Sequence, residues 1–490
     1  MSSLQPTFSS KSSAHFNEFE WVIQIQKTLE EELEDDGEIP VSIFNVPKAL
    51  LASEPDSYIP QEVAIGPYHY LRPELYEMER YKVAAAKRTQ KQLQCLKFQD
   101  LVEQLKKLEP RIRACYHKYL DFNGDTLGWM MAIAASFFLE LLQIYGAKEG
   151  RVLTRVSSSM SHLVDVSGSK SAHHAILRDL VMLENQIPLF VSRRILEFQF
   201  TSLEQADDLL LSMLMGLCKE LSPFKVVDQD LPKIQVSECA HLLDFLYQMI
   251  TPKLERRPSE IVEAEDEGES TPQKGSKSSD DSPNFVKQFL QEVWKLLSKL
   301  NEGPTKKKTN PENENSSNSI SKPPLIQEIT IPSVSDLVKS GVCFVKTKGS
   351  VSTISFDPKT VTFYLPATSL DVNTEVILRN LVAYEVSNAS GPLVLTRYTE
   401  LMNGIIDTEE DVKLLREKGI ILNHLKSDEE VANVWNGMSK SIRLTKVPFL
   451  DKTIEDVNKY YNGRWKIKMT KFMKSRIPYH HHYYLVMLYA

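Results

Sequence analysis

The sequence predicts a predominantly α-helical α+β fold, with long helices and a small antiparallel sheet in the C-terminal part. Three observations predict it. Apolar residues recur at spacings of three and four along much of residues 73–250. Short β-branched and aromatic runs, bounded by turn residues, are confined to residues 342–365. A polar, low-complexity stretch separates the two patterns.

Residues 1–39 form a flexible lead with an amphipathic helix at 16–35, where Phe16, Phe19, Val22, Ile23 and Ile25 precede the acidic EEELEDDGE. Residues 40–252 form the helical N-terminal part. Its first stretch is proline-rich and predicts extended chain hugging a surface. Pro73 suits a first helical position, because its missing N–H would lack a helical partner there anyway. The helix it opens turns Leu75, Met78 and Val83 inward. Next, Leu101, Leu105, Leu108, Ile112, Cys115 and Tyr119 mark one helical face, with a kink or restart at Pro110.

GWMMAIAASFFLELLQIYG, residues 128–146, is the most apolar run. Glu140 and Gln143 within it are costly in lipid, so it reads as a buried core helix in which Glu140 needs a polar partner. Residues 172–199 read as one long helix with a stripe of Ile176, Leu180, Leu183, Ile187 and Val191. Pro188 kinks it and frees a carbonyl near Glu184, and Asn185 and Gln186 stand ready to bond the loosened backbone. Two further apolar helices cover 203–221 and 238–250.

Residues 253–323 are rich in Ser, Pro, Glu, Lys, Asn and Gly, and cannot bury enough apolar surface to offset their ordering entropy. They read as a disordered insertion carrying one helix at 285–300. Residues 324–465 form the α+β C-terminal part of the same domain. Ser333 caps a short helix with Asp336 at its third position and Gly341 at its end. The strands CFVKTKG, VSTISFD and VTFYLP follow, with Gly349 and Asp357-Pro358 as turn signals. Helices at 374–387 and 397–406 come next. Thr408 with Asp411, and Ser427 with Glu430, form capping boxes for two more, the first of which Gly419 ends. Residues 466–490 are a tail.

The hydrophobic fraction of 42% and charged fraction of 25% are those of a globular protein. With a formal net charge of -7 and interspersed signs, nothing in the sequence points to nucleic acid. Cys95, Cys115, Cys218, Cys239 and Cys343 are scattered without a CxxC pair, which predicts buried thiols in a reducing compartment. The N-terminus has no apolar signal-peptide core, so the sequons at Asn315 and Asn388 are expected to be idle.

No phosphate-binding glycine loop, HExxH, GxSxG or Cys-His signature occurs, so neither cofactor nor metal is predicted. His173 and His174 are adjacent and face different ways on a helix. The run His480, His481 and His482 reads as a solvated tail. VAIGPYHYLRPELYEMERYK, residues 63–82, carries the densest polar pattern. Gly66-Pro67 is a turn signal, and Tyr68, His69 and Tyr70 suit a half-buried surface where each polar tip finds a partner. It reads either as a structural clasp or as a ligand- or partner-binding site. Tyr68, His69 and Glu184 are the residues around which an enzyme site assembled from distant positions would form.

This stretch resembles the N-terminal signature of the plant domain of unknown function 247 family, also called uncharacterised protein family 0481. Val46-Pro47, Tyr58, Pro60, Gly66, Pro67, Tyr68, His69, Met78, Glu79 and Lys82 match it. The resemblance continues through RDLVMLENQIPLFV, which holds Asp179, Glu184, Asn185, Gln186 and Pro188, and then through AHLLDFL, IPSVSDLVKSGVCF, LRNLVAYE and DTEEDVKLLREKGII. It covers about residues 40–465. Two departures stand out. Ala134-Ala135 replaces an Asp-Gly pair common in the family, which also allows a degenerate member. The family commonly ends in a membrane-spanning helix, whereas only YYLVMLYA follows the basic segment here, far short of the roughly 20 residues a span needs. The resemblance implies no enzymatic activity. It implies a recognition or interaction protein with an unidentified protein partner, membrane-associated in its family through a single C-terminal span. This chain is expected to be cytoplasmic or peripheral.

Overall fold

Proline sets the path of the first ordered segment. Pro47 precedes helix α1 (Lys48–Ser53), Pro55 opens a 3-10 turn (Pro55–Ser57), and Pro73 opens a second (Pro73–Met78) that runs into α2 (Glu79–Gln92). Leu75 and Met78 are buried. Val83, expected inside, is exposed, and the fully buried residue beside it is Lys82. The reason is local: the irregular chain before α2 leaves a carbonyl, that of Ala64, which the Lys82 ammonium satisfies.

The computed structural model describes residues 22–23, 25–26, 40–93, 96–146, 170–200, 202–225, 232–251, 329–388, 391–438 and 446–464. The helix at 285–300, the rest of the insertion at 253–323 and the His480–His482 tail lie outside them, as does nearly all of the 16–35 stretch. The described residues on both sides of the insertion belong to one compact unit with a shared core.

Helix α3 (Phe98–Lys107) ends before Pro110, which sits in the first turn of α4 (Glu109–Ala114), so the proline restarts the helix. Leu101, Leu105, Ile112 and Cys115 face the core. Tyr119 does not, because the helix has ended by then. Helix α5 (Gly124–Leu142) starts at Asn123, whose side chain accepts the Thr126 N–H at 2.7 Å. Though apolar and long enough to cross a membrane, it is a core helix here: 72% of its most apolar window is buried. It packs on α2 and α3. Glu140 accepts two bonds from the Arg88 guanidinium, at 3.0 and 2.7 Å. Ala134 and Ala135 are both fully buried.

The long helix expected at 172–199 is two helices, α6 (Lys170–Leu180) and α7 (Leu189–Glu197). The chain does more than kink. Gln186 Nε2 donates to the carbonyls of Leu180 and Met182, at 2.7 and 2.8 Å, taking acceptors that a continuous helix would use. Pro188 then caps α7 in extended geometry. The apolar stripe survives the break, since Ile176, Leu180, Leu183, Ile187 and Val191 are all buried. Helices α8 (Leu203–Leu221) and α9 (Leu242–Ile250) complete the N-terminal part.

In the C-terminal part, Ser333 caps α10 (Val334–Lys339) and Gly341, at φ +95°, ends it. Strands β1 (Cys343–Thr347), β2 (Ser355–Asp357) and β3 (Thr362–Pro366) follow. Their sheet is mixed, which corrects the antiparallel expectation. The Asp357 turn makes β2 and β3 an antiparallel hairpin, while β1 joins the other side of β3 in parallel, with Phe344 opposite Phe363. Strand β4 (Thr368–Leu370) pairs in parallel with β5 (Ile421–Asn423). Helices α11 (Thr374–Ser387), α12 (Val394–Ile405) and α13 (Glu409–Glu417) lie between them. Thr408 and Asp411 close a full capping box on α13, and Gly419 at φ +68° follows it. On α14 (Asp428–Met438) the box is half-made: Ser427 Oγ accepts the Glu430 N–H, but Glu430 reaches back to Lys426 instead of Ser427. A last helix, α15, covers 448–464.

Candidate functional site

The signature residues meet where the irregular chain of residues 58–72 lies against the 181–188 break. That chain has no ladder partner, so its backbone groups need side chains. Asp179, fully buried near the end of α6, supplies the first acceptor. Its Oδ2 takes the N–H groups of Gln61, Glu62 and Val63 at 3.0, 2.6 and 2.9 Å. Burial nonetheless pushes its carboxyl above the usual carboxylate range, against the pull of those three bonds and of Arg178.

Asn185 continues the pattern. Its Oδ1 accepts from Ile65 and Gly66 at 2.8 and 3.1 Å, and its Nδ2 donates to Val63 and to Asp179. Gly66 is required by this contact: a Cβ there would stand 2.7 Å from the Gln186 carbonyl oxygen. Pro67, also buried, follows in the turn. Lys82 donates to the Ala64 carbonyl at 2.8 Å, pairs with Glu79 and lies 4.7 Å from the centre of the Tyr70 ring. Burial lowers its pKa, and Glu79 opposes that shift.

Tyr68 and His69 close the other side. The Tyr68 hydroxyl donates to the Ile43 carbonyl at 3.1 Å and accepts from Lys118 N–H at 2.8 Å. Burial first, then the field of Glu184, pushes its pKa up to about 12. His69 is buried, with Nε2 3.3 Å from Glu184 Oε2, while Glu184 Oε1 accepts the Val46 N–H at 2.8 Å. The structure thus brings Tyr68, His69 and Glu184 together in a clasp in which His69 is buried and Tyr68 and Glu184 are partly buried. None of the signature residues lines the cavity of about 850 Å³ found by α8 and β4.

Several members of this network escaped the sequence reading. Asn380 on α11 accepts the Leu183 N–H at 2.9 Å and donates to the Ser57 carbonyl at 2.7 Å, so the C-terminal part holds both sides of the clasp. The Tyr116 hydroxyl donates to the Gln186 carbonyl at 3.0 Å. His241, fully buried, accepts the Asp244 N–H and lies 2.9 Å from the Ser42 carbonyl; burial lowers its pKa. Asp244 in turn accepts from the Tyr384 hydroxyl at 2.8 Å. The available signal was a polar residue inside an apolar run, as in LRNLVAYE, which marks a buried hydrogen-bonding duty without telling which.

Comparison with known proteins covers nearly the whole chain. The model of a plant protein family of unknown function, DUF247, matches residues 43–487. A putative UPF0481 protein of Arabidopsis thaliana, At3g02645, is 50% identical over 96% of this chain and 92% of its own. A second Arabidopsis thaliana UPF0481 protein, At3g47200, is 24% identical over 88% of this chain and 80% of its own. No solved structure matches. The match spans the clasp, the 181–188 break and the helices that close over them, and on that extent the chain belongs to the plant DUF247 family.

Proposed function

We propose that this chain is a non-enzymatic interaction protein, in which the signature clasp holds a rigid scaffold whose surface binds a protein partner. The observation that carries this reading is the use made of the signature's polar atoms. Asp179, Glu184, Asn185, Gln186 and Lys82 each bond at least one backbone group of the chain itself. A catalytic acid or base needs a face open to substrate and a pKa near the working pH. Tyr68 is held at about 12 by burial, which makes its proton harder to remove. Apposition to a membrane is part of the proposal. Arg464, Lys466, Lys468, Lys471, Lys474 and Arg476 form a basic segment free of Asp and Glu, which suits an anionic lipid surface.

One observation favours a second reading, an enzyme centred on a His69–Glu184 dyad. His69 Nε2 lies 3.3 Å from Glu184 Oε2 and makes no fully formed hydrogen bond among the described residues. One experiment separates the two: proximity labelling of the full chain in plant cells, beside His69→Gln, with both proteins purified for substrate screening. A reproducible partner set retained by a folded His69→Gln protein supports the interaction reading. Turnover of an ester, phosphoester or glycoside by the native chain, abolished in folded His69→Gln, overturns it.

A further inference from the structure

We propose that the cavity of about 850 Å³ at the carboxyl ends of the parallel strands β4 and β5 binds a small phosphate-bearing ligand. Its volume lies within the range of small-molecule sites, about 300–1,000 Å³. Five lining residues carry or can acquire positive charge: Lys219, Lys225, Lys348, His174 and His424. They come from segments far apart in the sequence, so the fold concentrates them. The Lys225 and Lys348 ammonium groups and the His424 ring make no hydrogen bond or ion pair among the described residues.

Two acids also line the cavity, Glu220 and Asp371. Asp371 is already engaged: its Oδ1 accepts the N–H groups of Asn373 and Thr374 and the Thr374 hydroxyl, at 2.9, 3.0 and 2.9 Å. Glu220 acts electrostatically on Tyr145 and His173. The lining thus sets three lysines against two carboxylates, and Lys225 and Lys348 have no ion-pair partner among the described residues. Such a concave excess draws anions, and a compact polyvalent anion draws on several cations at once.

The rest of the wall limits the ligand further. Phe224, Met249 and Val372 give an apolar side, and Ser369 adds a hydroxyl. A phosphate group held by Lys225 and Lys348, with an apolar or ring body against Phe224 and Met249, fits this division. Carboxyl ends of parallel strands are also where open α/β sheets place their ligands. The inference uses none of the signature residues and stands independently of the partner reading.

The test is calorimetry on the full chain with inorganic pyrophosphate and with a soluble inositol trisphosphate. Sedimentation with phosphatidylcholine vesicles, with and without phosphatidylinositol 4-phosphate, forms the second arm. The variants are Lys225→Ala/Lys348→Ala and, away from the cavity, Lys359→Ala. Both substituted lysines are exposed, so the double variant should fold, and its melting curve checks this. Expected is saturable pyrophosphate binding, weakened about tenfold by the double change and unaltered by Lys359→Ala. Inositol trisphosphate binding without vesicle binding identifies a soluble ligand; vesicle binding that needs the phosphoinositide and both lysines identifies a headgroup. Absence of saturable binding in every arm overturns the proposal. So does binding that the double variant changes by less than about twofold.

Discussion

Replacing Asp179 tests the clasp most directly. In Asp179→Ala three N–H groups lose their acceptor together. Those of Gln61 and Glu62 belong to exposed residues and recruit water, at about 0.5–1.5 kcal/mol each. That of Val63 is buried and stays unpaired, at about 1–3 kcal/mol. Relief from burying a carboxylate offsets part of this, leaving a cost of about 2–4 kcal/mol. Asp179→Asn keeps a neutral oxygen in place and removes the buried charge, so its cost is about 1 kcal/mol. Urea unfolding followed by tryptophan fluorescence measures both. The pH dependence carries a sign as well. A carboxyl whose folded pKa is raised contributes stability that is complete below its unfolded value, about 3.9, and fades as pH rises through the folded value. The cost of Asp179→Asn should therefore be largest in acid and shrink toward neutrality. An Asp179→Ala protein as stable as the native one would refute this account, as would an Asn variant as damaged as the Ala variant.

Four other changes follow from the same geometry. Gly66→Ala should cost about 1–3 kcal/mol by thermal unfolding, because the new methyl meets the Gln186 backbone, which has no freedom to rotate away. Lys82→Met fills similar space but leaves the Ala64 carbonyl unpaired, at about 1–3 kcal/mol in urea. Asn380→Leu should expose residues 58–66 and 181–187 together to amide hydrogen exchange, since one side chain bonds both segments. Tyr68→Phe removes only the hydroxyl bridge between Ile43 and Lys118, at about 1 kcal/mol, with the ring packing and the circular dichroism spectrum unchanged.

Where the sequence spoke through local chemistry, the structure follows it. Ser333, the Thr408–Asp411 box and Gly419 set helix ends through bonds to their immediate neighbours, so spacing alone predicts them. Glu140 called for a partner because an ionised group inside an apolar helix needs one, although Arg88 could not be named from the pattern. The misreadings share one cause, a contact made at long range. The apolar stripe from Ile176 to Val191 continues across the break, so periodicity reports a single helix. Gln186 bonds the loosened backbone as expected, but Asn185 reaches the distant Ile65 and Gly66, and that contact helps end the helix where the stripe shows no end. Val83 looked like the inward residue, yet Lys82 is the buried one, since an unpaired carbonyl outweighs hydrophobicity there. Parallel pairing of β1 with β3 depends on which edge of the hairpin the chain reaches, and alternation carries no information about that. Gly66-Pro67 and its tyrosines marked a half-buried turn, readable as a clasp or as a binding site. Its assembly around Asp179 was not legible, because the three donors are more than a hundred residues distant.

Asn380 also imposes a schedule on biosynthesis. Its partners Ser57 and Leu183 leave the ribosome 323 and 197 residues before it does. At about 5–20 residues per second, the later of the two waits roughly 10–40 seconds for its bond. Throughout that interval the nascent N-terminal part carries an open seam where α11 will dock, with the Ser57 carbonyl and the Leu183 N–H still waiting for their partner. Ribosome-associated chaperones therefore have a defined period in which to act, and a translational stall before α11 leaves the seam open for as long as the stall lasts.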